Sequence, residues 1–184
     1  MEALDAFVEQ LVPRKNTGKH MAMRIGAIVG GIVLGIGVYL LGNVLAFQFG
    51  FAPLMMIGFL LGAGVIYLFF RLFLSLNVEH EYILTNGEMD VDKIINRARR
   101  KRLLTVNCKE FEVLAKVKDP AHQAEFNSAS IKTRLDVSSG VVGDNTYFAI
   151  FQHRDFGRTL LVFEPSEKML RQFRRYIPGK MMQQ

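Results

Sequence analysis

An uncharged stretch of 46 consecutive residues, 25–70, constrains this chain more than any other feature of its sequence. The stretch contains no Asp, Glu, Lys, Arg or His, although the 184-residue chain carries 40 charged side chains, 23 basic and 17 acidic. A soluble domain of this size does not bury so long an uncharged run. Since one membrane crossing needs about 20 mostly apolar residues, the stretch predicts two crossings and excludes an ordinary soluble globular protein.

The two predicted crossings are separated by a short break in the apolar pattern. The break is marked by four residues: Asn43, Gln48, Gly50 and Pro53. Proline suits the first turn of a helix, where its missing N–H costs nothing. We therefore expect an antiparallel hairpin over residues 25–74, with helices at about 25–47 and 53–74. A cleavable signal peptide is the alternative for the first helix. The apolar core of a signal peptide, however, is shorter than this segment and lies nearer the N-terminus.

Basic residues flank the predicted hairpin on one side only. Residues 13–24 carry four basic side chains and no acidic one, Arg71 lies near the end of the second helix, and the connecting turn has no charge. The positive-inside rule therefore predicts a multi-pass protein of the cell membrane with both termini in the cytoplasm. The short length and the single cysteine suit a bacterial inner membrane.

Glycine is concentrated in the hairpin, where ten of the sixteen glycines fall between positions 26 and 64. Three pairs have the four-residue spacing that lets helix backbones approach closely: Gly26 and Gly30, Gly31 and Gly35, and Gly58 and Gly62. These faces pack the two helices against each other or form a surface for a homo-oligomer, and we favour the first interpretation.

The N-terminal residues, 1–24, form a predicted cytoplasmic amphipathic lead. Leu4, Phe7, Val8 and Leu11 have the spacing of one helix face, which predicts a short helix over residues 2–12. Its polar face is acidic, whereas helices that lie in the membrane interface usually carry basic residues there. We expect this helix to dock onto the basic cytoplasmic domain or onto a partner.

Residues 77–184 differ in composition from the hairpin and predict one cytoplasmic β domain. They hold 18 basic and 14 acidic residues. Asn86 and Gly87 lie between two alternating runs and favour a two-residue hairpin turn, which needs positive φ at both positions. Further strands are expected at about residues 103–108, 111–117, 131–137, 146–153 and 159–164, with a loop over 119–130.

A helix closes the domain, beginning after Ser166 as a plausible N-cap. Its apolar stripe consists of Met169, Leu170, Phe173, Tyr176 and Ile177. The predicted fold class is therefore a membrane α-helical hairpin plus a mainly-β domain. That domain has six or seven antiparallel strands in a small barrel or sandwich, with the C-terminal helix covering one end.

The order of these elements resembles the bacterial pleckstrin-homology-like (PH-like) membrane proteins. A two-helix hairpin is followed by the strand Glu-His-Glu-Tyr-Ile-Leu-Thr at 79–85, the Asn-Gly turn, an alternating acidic strand to residue 94 and a basic run at 97–102. The architecture agrees over about residues 25–177 and the residue pattern over about 79–102. The resemblance implies a seven-stranded split barrel with a capping helix. It does not carry over a lipid-binding site, because no lysine and arginine constellation of the phosphoinositide-binding type matches position by position.

The basic run is the candidate binding site, with cations at Arg97, Arg99, Arg100, Lys101 and Arg102. Near a membrane surface each such cation contributes about 1 kcal/mol of attraction to anionic lipid headgroups. The run is alternatively a solvated strand edge, where basic residues discourage edge-to-edge pairing; nucleic acid is the least favoured partner. Acidic residues alternate along the preceding hairpin and suggest cross-strand ion pairs with these arginines. They are Glu79, Glu81, Glu88, Asp90 and Asp92.

A second basic cluster lies on the last helix and suits its C-terminal end, where cations interact favourably with the helix dipole. It consists of Lys168, Arg171, Arg174, Arg175 and Lys180.

Candidates for catalysis are few, and we expect neither an enzyme nor a cofactor. The four histidines lack metal-ligand spacing, and Cys108 cannot form an internal disulfide and is expected to be a small core residue. Ser138, Ser139 and Gly140 are expected to form a turn, since no lysine or helix follows them as in a phosphate loop.

Three function classes follow. The leading one is a non-enzymatic membrane protein whose β domain is an interaction module for lipid headgroups or a protein partner. The second is an enzyme acting on membrane-associated substrates, for which only Cys108, His153 and Asp155 are available. The third is an accessory subunit of a transport or secretion complex, docked through the glycine faces.

Overall fold

The computed structural model describes residues 7–179, which form two compact units. Residues 16–77 form a helical unit, and residues 7–15 join residues 78–179 in a β unit. The N-terminal segment therefore belongs to the β unit and is not a separate lead, although 62 residues of helical unit lie between its two parts.

Two helices, α1 (Gly18–Phe49) and α2 (Pro53–Ser75), make up the helical unit. Helix α1 begins seven residues before the expected Ile25 and ends at Gly50, whose φ of 62° lies in the left-handed region that glycine adopts without strain. Pro53 occupies the first turn of α2. The three-residue connection and the packing of α1 on α2 confirm the predicted antiparallel hairpin.

Both helices are long and apolar enough to cross a membrane. Only 11% of the most apolar window of each helix is buried. A core helix of a soluble protein buries its apolar side chains, whereas these helices leave large apolar groups such as Phe47, Leu60 and Leu68 exposed. Apolar surface of this extent suits the hydrocarbon core of a bilayer.

Glycines allow α1 and α2 to pack closely. Gly35 faces Gly62 and Gly42 faces Gly58, with backbone atoms so near that a Cβ on any of them would lie under 3.0 Å from the other helix. Gly31 receives the side chain of Phe69. These contacts confirm packing within the hairpin for two of the predicted glycine pairs, the pair Gly31/Gly35 and the pair Gly58/Gly62. In the third pair, Gly26 has no atom within 4 Å of its Cβ position.

The first sheet contains four antiparallel strands in the order β1-β2-β3-β4. The strands are β1 (Phe7–Pro13), β2 (Val78–Thr85), β3 (Glu88–Ile95) and β4 (Arg99–Asn107). Asn86 and Gly87 have φ values of 51° and 88°, which confirms the predicted two-residue turn between β2 and β3. One face of the sheet, the core face, carries Tyr82, Leu84, Met89 and Val91, all with 0% exposure. The opposite face is called the outer face.

The predicted N-terminal helix is wrong for the residues that the structure describes. Residues 7–13 form strand β1, which pairs with residues 79–85 of β2, Phe7 opposite Thr85 and Pro13 opposite Glu79. A helix of 11 residues is marginal by itself, whereas the strand hydrogen-bonds to an existing sheet edge and buries Val12. Pro13 is tolerated because β1 is an edge strand. Residues 2–6 of the predicted helix lie outside the described residues.

The second sheet has the order β5-β7-β8-β6. Its strands are β5 (Phe111–Lys116), β6 (Thr133–Asp136), β7 (Tyr147–His153) and β8 (Gly157–Phe163). Strand β6 pairs parallel to β8, which corrects the expectation that all strands are antiparallel. The reason is topological: β5 occupies the free edge of β7, so β6 pairs with the other edge of the β7–β8 hairpin. With β1, the described residues contain eight strands, whereas the sequence predicts six or seven.

The segment between β5 and β6, which the sequence predicts to be a loop, contains a short helix, α3 (Gln123–Phe126). Phe126 packs edge to face on Phe148, with ring centroids 5.1 Å apart. Phe148, Ile150 and Leu160 form a small apolar cluster to which Phe126 belongs.

The main core lies on the core face of the first sheet and includes residues from both sheets and from α4 (Glu167–Tyr176). The Ser166 side chain accepts a hydrogen bond from the Met169 N–H at 3.4 Å, which confirms the predicted N-cap. Met169 and Phe173 of α4 are fully buried in this core. Phe173 lies 6.0 Å from Phe111 and 6.1 Å from Phe163 between ring centroids.

Candidate anion-binding surface

The predicted basic run lies at the beginning of β4, an edge strand of the first sheet. Asn96 and Arg97 form the turn before it with positive φ values of 51° and 54°. Because side chains alternate along a strand, Arg100 and Arg102 lie on the outer face, whereas Arg99 and Lys101 lie on the core face. The run is therefore two groups of cations with different surroundings.

The outer-face arginines form ion pairs with carboxylates of β2 and β3. Arg102 Nε lies 2.6 Å from Asp92 Oδ1, and its Nη1 lies 2.8 Å from Asp90 Oδ2. Arg100 Nη2 lies 2.7 Å from Glu81 Oε2. In the preceding turn, Arg97 Nε lies 3.3 Å from Glu79 Oε1. These contacts confirm the cross-strand ion pairs expected from the alternating acidic residues.

Two of the paired carboxylates are buried, which makes the arginines structural. The side chains of Glu81 and Asp92 are only 5% and 2% exposed. Burial raises the pKa of Glu81, the nearby carboxylates of Glu9 and Asp92 raise it further, and Arg100 opposes them. The hydrogen bond to Asp92 raises the pKa of Arg102. Removing Arg100 would leave the buried Glu81 without its cation, and removing Arg102 would leave the buried Asp92 with only the longer 3.9 Å contact to Arg100 Nε. These side chains are therefore engaged with the fold.

The core-face cations have no such partners. Lys101 lies directly opposite Lys93 of β3, and Arg99 lies opposite Ile95. Arg14 continues the β1–β2 pairing, since its N–H donates to the Val78 carbonyl at 3.1 Å. Over residues 7–179, none of Arg14, Lys93, Arg99 and Lys101 forms an ion pair. We call these four residues the core-face cations.

His80 is the core-face residue of β2 opposite Lys93 and Val12. It is only 4% exposed, and its Nδ1 is a buried atom without a hydrogen-bond partner within the described residues. Burial lowers the pKa of His80, and Lys93 and Arg14 lower it further, while Asp136 and a hydrogen bond with the Ser138 backbone act against them. His80 is therefore a neutral imidazole at pH 7, held beside unpaired cations.

A partly buried polar network fixes the backbone directly after Arg14. The Lys15 N–H donates to the Ser139 carbonyl at 2.7 Å, and the Ser139 hydroxyl donates to Glu164 Oε1 at 2.8 Å. Arg14 Nε lies 3.6 Å from the point where a Cβ on Gly140 would stand. The turn expected at Ser138, Ser139 and Gly140 therefore fixes the end of β1, and Gly140 has the positive φ of 84° that such a turn needs.

Sequence reasoning missed Arg14, Lys93 and His80 as neighbours of the basic run. The period-two pattern of β2 and β3 places His80 and Lys93 on the same face as Tyr82 and Val91. That signal was available in the sequence. Only the register between strands, however, brings Lys93 opposite Lys101, because a bulge at Val91 and Asp92 shifts the pairing of β3 with β4.

The basic cluster of α4 is exposed on the helix surface. Arg171 Nη1 lies 3.9 Å from Glu167 Oε2 one turn earlier, and Arg174 and Arg175 occupy the last turn. Cations in the last turn of a helix interact favourably with its dipole. Lys180 lies outside the described residues.

Of the three catalytic candidates, His153 and Asp155 are in contact through a backbone N–H, whereas Cys108 lies in the main core. Cys108 follows β4 in a short 3-10 turn instead of the predicted strand, it is fully buried in the main core, and burial raises the pKa of its thiol to about 12. His153 Nδ1 accepts a hydrogen bond from the backbone N–H of Asp155 at 3.1 Å, and its ring stacks on Phe156. Between residues 7 and 179, no group of three or more His, Cys, Asp or Glu is arranged to hold a metal ion.

Comparison with known proteins identifies a family. The family model described as "Bacterial PH-like domain (DUF6106)" matches residues 4–183. No curated protein and no solved structure matches the chain. The family match covers both parts of the β unit and the helical unit between them.

Proposed function

Because this chain belongs to the bacterial PH-like domain family, we propose that it is a multi-pass membrane protein whose cytoplasmic PH-like module binds anionic lipid headgroups without catalysing a reaction. In this proposal the two sheets form a split barrel, which α4 caps through Met169 and Phe173. A protein partner or a second copy of the chain takes the place of the lipid if the test below excludes lipid.

The proposed orientation rests on the charges that flank the two helices. Arg14, Lys15, Lys19 and Arg24 precede or begin α1, Arg71 lies near the end of α2, and residues 50–52 between the helices are uncharged. The positive-inside rule then puts the N-terminus, the β unit and the C-terminus in the cytoplasm. The cytoplasmic leaflet is also the one whose anionic lipids attract basic segments.

One observation carries the headgroup proposal: the core-face cations lie at the end of the first sheet where the chain passes to and from the helices. Arg14 pairs with Val78, three residues separate Arg14 from α1, and two residues separate α2 from Val78. Arg99 lies at the same end of the sheet, since it is opposite Ile95, which is opposite Val78.

Exposed apolar side chains near these cations support contact with a bilayer. Val141 and Val142 are 42% and 52% exposed and directly follow Gly140, the residue against which Arg14 lies. Basic side chains attract the headgroups, and small apolar side chains gain free energy by entering the boundary between headgroups and acyl chains. Together they form a surface of the kind that peripheral membrane contacts use.

The test is lipid selectivity of the full chain. Wild-type protein is equilibrated in neutral-detergent micelles with equal amounts of phosphatidylglycerol and phosphatidylcholine, and the lipids retained are measured by native mass spectrometry. We expect phosphatidylglycerol to be enriched, less so at high salt because screening weakens the attraction. Arg99→Gln/Lys101→Gln should reduce the enrichment.

The matched control removes two exposed cations of α4, Lys168→Gln/Arg175→Gln, and should retain the wild-type enrichment. If wild type retains both lipids equally, or if the two double variants behave alike, the β unit does not select anionic headgroups. Chemical crosslinking in membranes would then be used to find a protein partner.

A further inference from the structure

Lys93 and Lys101 lie directly opposite each other on neighbouring antiparallel strands, each without a carboxylate partner within residues 7–179. Residues in such a pair have their Cβ atoms about 5 Å apart, and like charges there destabilise the sheet. On the outer face of the same strands, by contrast, Arg100 and Arg102 are matched by Glu81, Asp90 and Asp92. The core face thus concentrates positive charge that the fold leaves uncompensated.

Groups from three other segments surround this lysine pair. His80 of β2 lies opposite Lys93, and Arg14 of the β1 extension is close enough to affect the titration of His80. Asp136 is the carboxylate that acts on His80 from the second sheet, but its Oδ1 already accepts hydrogen bonds from the Ser138 N–H at 3.0 Å and the Ser138 hydroxyl at 2.6 Å. An external anion is therefore the group that would balance this end of the sheet.

We propose that the core-face cations bind the phosphate group of an anionic ligand, and that binding is coupled to proton uptake by His80. The proposal deepens the lipid-headgroup function and rests on it only for the source of the phosphate. A phosphate group offers several charged oxygens, which two ammonium groups and the forked guanidinium of Arg14 contact from different sides. Lys93 is half-buried and Lys101 is exposed, so the lysine pair is open to a ligand.

The coupling to His80 follows from the charges around it. Lys93 and Arg14 disfavour the imidazolium form, and Lys101 adjoins Lys93. A bound phosphate neutralises these cations, so His80 takes up a proton more readily, while its burial and Asp136 remain as before. Coupling is reciprocal: if phosphate raises the pKa of His80, acidification tightens phosphate binding.

The test follows the His80 ring signal by NMR in the full chain, in neutral-detergent micelles. His20→Gln/His122→Gln/His153→Gln leaves His80 as the only histidine of the 184-residue sequence. The chain is titrated with acid in inorganic phosphate and in chloride of equal ionic strength. We expect a higher His80 pKa in phosphate than in chloride, and a phosphate affinity that increases at least threefold from pH 7.5 to pH 6.

Substitutions of single lysines locate the site. Lys93→Gln should weaken phosphate binding at least fivefold and should raise the pKa of His80 in chloride, since a nearby cation is lost. Lys101→Gln, at an exposed position, provides a second variant that keeps the fold and should also weaken binding. Lys168→Gln on α4 is the matched control and should bind phosphate as wild type does.

A His80 titration that is the same in phosphate and chloride would overturn the proposal, as would Lys93→Gln and Lys101→Gln variants that bind phosphate like wild type.

Nanodiscs of phosphatidylglycerol or phosphatidylcholine then identify the source of the bound phosphate group. A His80 pKa raised by phosphatidylglycerol supports a lipid headgroup. A response to inorganic phosphate alone supports a soluble phosphate ligand and contradicts the headgroup function. Selective lipid retention without any His80 response keeps the headgroup function and removes this site.

Discussion

Gly42 of α1 and Gly58 of α2 pack backbone against backbone. A Cβ on Gly42 would lie 2.7 Å from the Gly58 Cα, and a Cβ on Gly58 would lie 2.8 Å from the Gly42 Cα. Within a bilayer, helices associate through such close packing because apolar side chains gain nothing by leaving lipid. This contact is therefore a principal determinant of how the hairpin closes.

Gly58→Leu should separate the two helices at this contact. Since the neighbouring atoms are backbone and cannot rotate away, we expect a loss of at least the ~1–3 kcal/mol typical of overpacking. Thermal unfolding of the full chain in micelles, followed by circular dichroism at the helix band, measures the loss. Gly37→Leu is the matched control, because nothing lies within 4 Å of the Gly37 Cβ position. Equal melting of the two variants would contradict the importance of the Gly42 contact.

Cys108 should not react with thiol reagents in the folded protein. It is fully buried, and burial raises its pKa to about 12, so the reactive thiolate is scarce at pH 8. We expect maleimide labelling to occur only on unfolding, in proportion to the unfolded fraction. Rapid labelling of the native chain would show that the core around Cys108 opens. Because the chain has a single cysteine, this labelling also reports the unfolding of the β unit.

Arg102→Gln should destabilise the β unit. The Asp92 side chain is 2% exposed and would lose the 2.6 Å contact with Arg102, and leaving a buried acceptor unsatisfied costs about 1–3 kcal/mol. Arg99→Gln removes the same charge from the same strand but leaves no carboxylate unpaired, so its effect on stability should be under about 0.5 kcal/mol. Denaturant titration with Cys108 labelling distinguishes the two. Similar losses in both variants would show that the Asp92 pair is unimportant.

His80 should make the stability of the β unit fall in weak acid. Its pKa in the folded state lies below the usual value of 6.5. At pH values well above 6.5 the imidazole is neutral in both states and contributes no pH dependence. As the pH falls through 6.5, the unfolded chain binds a proton that the folded chain excludes, so the free energy of unfolding decreases.

Comparing wild type with His80→Gln in chloride from pH 7.5 to 5.5 isolates this contribution. The quantity compared is the decrease in the free energy of unfolding over the pH range, which does not depend on the starting stability of each protein and should be larger for wild type. Glu81 has a raised pKa and contributes in the opposite direction, with stability lost as the pH rises above its unfolded value. That contribution is common to both proteins and cancels in the comparison. Equal losses would show that His80 is not held neutral by its surroundings.

Three features that depend on neighbouring residues were predicted correctly, although the short helix α3 and the 3-10 turn at Cys108 were missed. The uncharged stretch predicted the helix hairpin because each long apolar helix is one continuous segment. Asn86 and Gly87 predicted their turn because the two residues that need positive φ are adjacent in the chain. Ser166 predicted the start of α4 because a cap acts within three residues.

The errors occurred where the partner is distant in sequence. Strand β1 has an apolar spacing compatible with a helix, and only its pairing with β2, about 70 residues later, favours the strand. Strand β6 runs parallel to β8 because the opposite edge of β7 is taken by β5. In both cases the pairing depends on which sheet edge is available, and a local sequence pattern does not show that.

The sequence by itself determined that the chain has two long apolar helices, a β-rich domain and a run of cations at 97–102. The tertiary structure decided what each cation does. Strand alternation and register join Arg100 and Arg102 to buried carboxylates and bring Lys101 opposite Lys93, beside His80 and Arg14. The physical reason is that the energy of a charge depends on its neighbours in space, and in a sheet those neighbours are set by hydrogen-bond register between strands.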